Sequence, residues 1–467
     1  MIRWFFTAAL TSLGLANNPL LSPLGYDHNL GLQPGFYSVK ETPACHSRYG
    51  KVIFAYWNRP DPNIDYRESL GRGTRGEFKV GLKSIQTDEW FVGDPKDNCT
   101  IRFETSRMQP LGVCSEFQAH RGDVRIFPAN SIRAFHHALE EGFAGFELDL
   151  QLSSDGVAVV SHDDRLGPAS DCKGRVRKKT WEQIKSCRLT HSPLIPEAGI
   201  FGQRALVDAP IPSLKMVFEE FSKDPRVRKI HLDIKPKNKP EELVKAIQAA
   251  LPTDPKEREA LESRITILAK EPEDLIALND AFPLASVALE GDATISGLID
   301  RSRKNYWGPE NCYYDTLSVA YGTIFNPFLQ FLKVLRGEGT GDAGNFKRLY
   351  RRNLQQGEDA KKILGWTLNS KNGIRKLRNF HLEDILTDVP MQKLVEILYD
   401  GMTDTEILAN IDEMKKKGQI AACDRPEFKN RKQRREEIRQ QRQKNRDAPD
   451  ASAAPMAEIP EAAAPKN

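Results

Sequence analysis

The sequence lacks several patterns that would assign it to an easily named class. Polar residues break up its most aromatic segment, which runs from Asn305 to Leu335 with Tyr306, Trp307, Tyr313, Tyr314, Tyr321, Phe325, Phe328 and Phe331. A transmembrane span is therefore excluded there, leaving outer packing or a lip over a cleft. The seven cysteines, Cys45, Cys99, Cys114, Cys172, Cys187, Cys312 and Cys423, include no Cys-x-x-Cys and no neighbouring histidine pair, so a zinc framework is not expected. A large excess of one charge is also missing. The chain carries 68 Lys and Arg against 64 Asp and Glu, a net charge of +4. Arg425 to Arg446 alone holds ten basic and three acidic residues, a local +7, so the remainder is about −3. Basic character thus belongs to this tail, whose candidate contact is an anionic membrane or envelope surface. The alternative is a solvated charge run, and nucleic acid is not an expected partner.

The two ends read as attachments. Met1 to Ala16, MIRWFFTAALTSLGLA, has one early arginine, an uncharged apolar run and small residues at Gly14 and Ala16. This pattern predicts a signal peptide over residues 1–16 and an exported protein, periplasmic or secreted. Residues 17–114 are expected to be β-rich, because Phe36 to Lys40, Val52 to Trp57, Glu77 to Leu82, Glu89 to Val92 and Thr100 to Glu104 are strand-like runs between Gly, Pro, Asn and Asp. No motif there decides between a binding module and simple packing on the next domain. After Leu398 come a predicted helix from Asp404 to Lys417, the basic run, and an Ala, Pro and Glu-rich end expected to be disordered.

Chemistry concentrates between Ala119 and Asp163. A strand, Phe117 to Ala119, runs into His120-Arg121-Gly122, where glycine permits a sharp exit. A helix follows, with Asn130 as its expected N-cap, Ile132, Phe135, Ala138 and Leu139 at helical spacing, and Gly142 after its end. Along the next strand, Gly145 to Leu150, Glu147 and Asp149 share one face. Two acids so placed repel each other unless a cation lies between them. After the turn at Asp155-Gly156, Val157 to Ser161 leads to His162-Asp163. Strand, helix, strand with active groups at strand ends is the layout of a parallel α/β barrel. The rest of 115–398 supplies further strands at Lys229 to Ile234, Ile265 to Ala269, Ala285 to Leu289, Thr316 to Val319, Ile363 to Thr367 and Ile385 to Leu386. That makes nine candidates for eight barrel positions, with the surplus expected near Ala285 or Thr316. Asp233 alternates in phase with His231 and Lys235, which predicts that all three face the cleft. Cys172 and Cys187, which bracket the loop after His162, are the best candidate disulfide.

HRG, PANS, FELDL, DG and HD, then IPSL from Ile211, HLDIKP from His231, GWTLN from Gly365 and DILTDVP from Asp384, occur here in one order. In that order they resemble the glycerophosphodiester phosphodiesterase family, over about Ser115 to Leu398. The resemblance implies a (β/α)8 TIM-type barrel that binds a divalent cation, Mg²⁺ or Ca²⁺. It also implies metal-dependent hydrolysis of glycerophosphodiesters to glycerol 3-phosphate and an alcohol.

Residue chemistry supports the same assignment. Glu147, Asp149 and Asp233 offer oxygen ligands to a hard cation; Arg121 and Lys235 suit phosphate oxygens, with Trp366 as a further substrate contact. His120 and His162 form the candidate acid–base pair, with His162 as base and His120 as acid. His28, His46, His136, His137, His191 and His381 are read as structural. Two departures stand out: Asp233 where the family commonly has Glu, and Ala129, just before Asn130, where it usually has Glu. Asp in the third position is similar to the sphingomyelinase D type, so lysophospholipid or choline phospholipid cleavage is the alternative substrate class. An alternative of another kind is a non-catalytic envelope-binding module.

Overall fold

The computed structural model describes most of residues 35–107, 116–190, 206–290, 313–320, 350–374 and 382–406. The expected signal peptide, most of the aromatic segment, most of the predicted helix from Asp404 and the whole basic tail lie outside the described residues.

The N-terminal part forms strands β1 (Gly35–Lys40), β2 (Val52–Tyr56), β3 (Glu68–Gly73), β4 (Gly76–Ser84), β5 (Glu89–Val92) and β6 (Thr100–Arg107). They pair antiparallel in order and β1 closes on β6, giving a small barrel without free edges. Five of the six runs were visible as strand patterns. ESLGRG at β3 was not, because its glycines and charges carry no alternation of apolar residues. Tyr37, Ile53, Val80, Trp90, Val92 and Ile101 fill the interior, and Cys45 is bonded to Cys99.

The second part is a closed ring of eight parallel strands: β7 (Glu116–His120), β8 (Gly145–Leu152), β12 (Lys229–Ile234), β13 (Ile265–Ala269), β14 (Ser286–Glu290), β15 (Thr316–Ala320), β16 (Lys362–Trp366) and β17 (Asp384–Thr387). β8 pairs with β12 and β17 with β7, which completes the (β/α)8 barrel. The surplus strand is neither Ala285 nor Thr316. It is β9 (Ala158–Val160), which turns back at Gly156 and pairs antiparallel with β8, as a hairpin of so few residues must. β10 (Arg188–Thr190) and β11 (Leu206–Pro210) form a separate two-stranded ribbon.

Outward residues of the ring, Phe117, Phe146, Leu148 and Ile230 among them, meet helices Ile132–Glu140, Leu214–Phe221 and Pro240–Ala250, with Phe135 stacked on Phe146 at 4.2 Å. Inward residues form layers. Leu268, Ala288, Leu364 and Leu386 make an apolar plug under the mouth. Near the closed end, Lys229 Nζ donates to Glu383 (2.7 Å) and Asp384 (2.9 Å), and Gln118 Nε2 donates to Asp384 (3.0 Å). His231 belongs to this lower group: it is fully buried, with Nε2 3.7 Å from Asp384. The expectation that it shares the cleft with Asp233 and Lys235 is therefore corrected. Alternation did put all three on the inner face, but two residues of strand rise about 6.6 Å, enough to drop His231 a layer.

The two barrels touch. Val52 and Phe54 of β2 are buried in the same core as the ring and its final helix, Met391–Tyr399, and Arg72 pairs with Glu396 at 3.0 Å.

Candidate active site

The mouth of the ring begins at the end of β7. Arg121 has φ +60° and Gly122 φ +82°, and a Cβ on Gly122 would stand 2.7 Å from the Ala134 backbone carbon. Only glycine fits so close to the following helix, and the turn it permits sends His120 and Arg121 over the mouth. The Arg121 amide donates to the Glu147 carboxylate at 3.1 Å, and its guanidinium Nε lies 3.0 Å from Asp149 Oδ2.

Asn130 does not cap the next helix. Ser131 does, its side chain accepting from the Ala134 amide at 3.1 Å. Asn130 instead takes φ +62° and grips Asp149 twice: its Nδ2 donates to Oδ2 (2.7 Å), and its Oδ1 accepts from the Asp149 amide (3.2 Å). Asn tolerates this left-handed conformation better than most residues, so the strain fits a positioning role.

Three carboxylates, Glu147, Asp149 and Asp233, come together with ligand oxygens all within 4.8 Å of one another. They are 2%, 0% and 8% exposed, so water screens their repulsion little. Lys235 Nζ lies 3.0 Å from Asp149 Oδ1 and also pairs with Asp233. Burial raises the Asp149 pKa, but Arg121 and Lys235 outweigh it and hold the group well below the carboxylate range. Glu147 goes the other way: burial, then Asp149 and Asp233, push it well above its usual value. Two protein cations thus leave the third carboxylate uncompensated, and Asp233 Oδ1 is buried without a hydrogen-bond partner among the described residues. A set of hard oxygens short of one positive charge fits a divalent cation such as Mg²⁺ or Ca²⁺.

Both histidines lie near enough to act on Asp149 electrostatically. His120 Nδ1 bonds to Asp388 Oδ1 at 2.8 Å, leaving Nε2 turned toward Glu147 Oε2 at 3.9 Å. Asp388 is itself fixed by Asn369, whose Nδ2 donates to Oδ2 (2.6 Å) and whose Oδ1 accepts from the Asp388 amide (2.9 Å). His162, exposed at the mouth, bonds through Nδ1 to Asp163 at 2.9 Å, and its carbonyl accepts from Gln151 Nε2 at 2.9 Å. Partial burial and then the Arg121 guanidinium lower its pKa. Trp366 ends β16 at the same mouth and packs on the leucine plug.

Asp388, Asn369 and Asn130 were overlooked as site residues. The signal for Asp388 and Asn369 was available, since both follow barrel strands inside the quoted GWTLN and DILTDVP runs. Glu290, the last residue of β14, was also missed. It is 3% exposed, pairs with Lys270 at 3.3 Å, and is raised to a pKa of about 7 by burial and then Asp233.

Other clusters are structural. Asp123, His137 and Glu141 are close enough to hold an ion, but Arg125 already pairs with both acids, and His137 bonds to Asp123 at 2.6 Å. His136 bonds to Glu220 at 2.7 Å. Both histidines are buried. His46 meets the Val39 carbonyl at 3.2 Å. Cys172 and Cys187 are bonded and staple the lobe that follows His162.

Comparison with known proteins finds similarities over part of the chain. A glycerophosphodiester phosphodiesterase of Bacillus altitudinis is 43% identical over 74 residues, 16% of this chain and 30% of that protein. One from Caldanaerobacter subterraneus subsp. tengcongensis is 41% identical over 102 residues, 22% of this chain and 38% of that protein. The chain thus spans about a third of the length of these curated relatives. A phosphodiesterase from Oleispira antarctica, solved in complex with the product sn-glycerol-3-phosphate, covers 61% of this chain and 97% of its own at 18% identity and a TM-score of 0.42. The model of the glycerophosphoryl diester phosphodiesterase family matches residues 120–307. That match begins at His120 and runs past Glu290, through both histidines and all three clustered carboxylates, so this part of the chain is similar to the glycerophosphoryl diester phosphodiesterase family.

Proposed function

We propose that this protein hydrolyses glycerophosphodiesters to glycerol 3-phosphate and an alcohol, using a divalent cation and the His120–His162 pair. The observation that carries this reading is the convergence, at one barrel mouth, of three buried carboxylates, two cations and two histidines that both act on Asp149.

A phosphodiester is anionic and repels an attacking oxygen, so its charge must be neutralised where the attack occurs. Glu147, Asp149 and Asp233 would hold the cation, which would polarise a phosphate oxygen when bound. Arg121 and Lys235 supply further positive charge beside it. His162, neutral to lower pH than an ordinary histidine, takes the proton from the attacking hydroxyl. His120, oriented by Asp388, gives a proton to the leaving alkoxide. The attacking hydroxyl belongs to water or to the substrate's own glycerol; in the second case the alcohol leaves a cyclic phosphate, and water must open that ring to give glycerol 3-phosphate.

Export is proposed as well. Two disulfides, Cys45–Cys99 and Cys172–Cys187, suit an oxidising compartment, periplasm or medium. Contact of Arg425 to Arg446 with an anionic membrane or envelope remains a proposal from charge alone.

The test is release of glycerol 3-phosphate from glycerophosphocholine and glycerophosphoethanolamine by the purified mature chain, with and without chelator, beside His120→Ala. Turnover that needs metal and falls about 10²- to 10⁴-fold in the variant supports the reading. Absence of turnover in the unmodified protein overturns it.

A further inference from the structure

Glu290 has no part in the chemistry above. β14 stands two strands from β12, and Glu290 is outside the group of carboxylates able to share an ion, though Asp233 is near enough to act on it electrostatically. It faces the ring interior, being two residues beyond Ala288 of the apolar plug, so its carboxylate sits in the layer above that plug. Its side chain is 3% exposed. One oxygen, Oε1, pairs with Lys270 at 3.3 Å; the other, Oε2, is buried with no hydrogen-bond partner among the described residues. Trp366 Nε1, a buried donor at the same mouth, is likewise without one. Lys270 is half-exposed, with donors to spare.

A carboxylate kept out of water with an open acceptor oxygen is costly unless something donates to it. On the proposed reading the phosphate would lie with Arg121, Lys235 and the cation held by Glu147, Asp149 and Asp233, and an arm of the substrate crossing the mouth toward β13 and β14 would meet Lys270 and Glu290. A hydroxyl both donates and accepts, which matches Glu290 beside Lys270. A quaternary ammonium would meet the Lys270 charge, and an acyl ester has no hydrogen to give.

We infer that Glu290 and Lys270 form a hydroxyl-reading subsite that takes the free terminal hydroxyl of the substrate's glycerol arm and so excludes acylated lysophospholipids. This deepens, and rests on, the proposed hydrolysis of glycerophosphodiesters. A site built to bond a hydroxyl rejects an analogue without it more strongly than an apolar pocket rejects an extra group.

The test compares kcat/KM for glycerophosphocholine, its analogue in which the terminal CH₂OH is replaced by methyl, and 1-acyl lysophosphatidylcholine, in the full chain and in Glu290→Ala, Glu290→Gln and Lys270→Ala. In the unmodified protein, loss of the hydroxyl should lower kcat/KM about 10- to 100-fold, as expected for a hydrogen bond to a charged group. In Glu290→Ala that ratio should collapse toward one, with the Mg²⁺ concentration for half-activation unchanged. Glu290→Gln, which keeps an acceptor oxygen, should retain part of the ratio and decides the matter where the alanine variant does not fold. A ratio unchanged in the variants overturns the inference, as does a shifted Mg²⁺ requirement, which would place Glu290 in the metal site. If the unmodified protein turns over none of the three, the underlying reading fails and the inference with it; turnover of the lysophospholipid alone overturns the inference while leaving a phosphodiesterase.

Discussion

The proposed division of labour between the two histidines follows from what each one touches. His120 is held on Nδ1 by the buried Asp388, and Asn369 in turn fixes Asp388. Asn at 388 would keep the bulk but lose the charge that favours a protonated imidazole, so Asp388→Asn should lower kcat about 10²-fold with little change in KM. Loss of binding instead of rate would place Asp388 in substrate contact. His162 has a lowered pKa, from partial burial and from Arg121. A base works in its neutral form, and a lowered pKa preserves that form into more acidic solution. The acid limb of kcat/KM should therefore fall below the pH of about 6.5 at which a free histidine titrates. Removing Arg121 should move that limb upward, and a pH profile of Arg121→Gln reads the sign directly.

At the scale of elements, much was legible in the sequence because strands and site residues share one signal. Glu147 and Asp149 alternate with Phe146, Leu148 and Leu150, so a single pattern gave both the β8 strand and its acid pair. Where the sequence misled, the missing information was spatial. Layer height separates His231 from Asp233, strand direction separates β9 from the ring, and a left-handed φ turns Asn130 from cap to clamp. None of these leaves a mark on periodicity. Glu290 was hidden for a related reason: one acid at the end of an apolar run reads as a strand terminus until closure of the ring turns it inward. The lobe after His162 is an element with a prediction of its own. Its bond between Cys172 and Cys187 closes a separation of 15 residues, which corresponds to about 3 kcal/mol in the chain-entropy account. Cys172→Ser with Cys187→Ser should make 163–190 sensitive to limited proteolysis and lower kcat through a less well placed His162. Unchanged protease resistance would mean that the buried Val159, Leu166, Val176, Ile184 and Leu189 hold the lobe unaided.

For the whole molecule, the question is whether the N-terminal barrel is a separate module or part of one folding unit. Its interior is its own, built on Tyr37, Ile53 and Trp90 and stapled by Cys45–Cys99. The other face of β2 is not: Val52 and Phe54 are fully buried in the core shared with the large ring. Arg72 with Glu396, and the Lys51 amide donating to Asp404 at 2.8 Å, extend that contact beyond the apolar patch. Alternate residues of one strand therefore serve two cores, and loosening either exposes the other. Phe54→Ala should cost about 3–5 kcal/mol, the range for removing a buried phenylalanine. If the two barrels unfold together, near-UV circular dichroism and active-site inactivation will move to lower temperature in step, as one transition. Two separate transitions, with the candidate active site surviving the first, would make the small barrel an independent attachment and leave β2 merely resting on the ring.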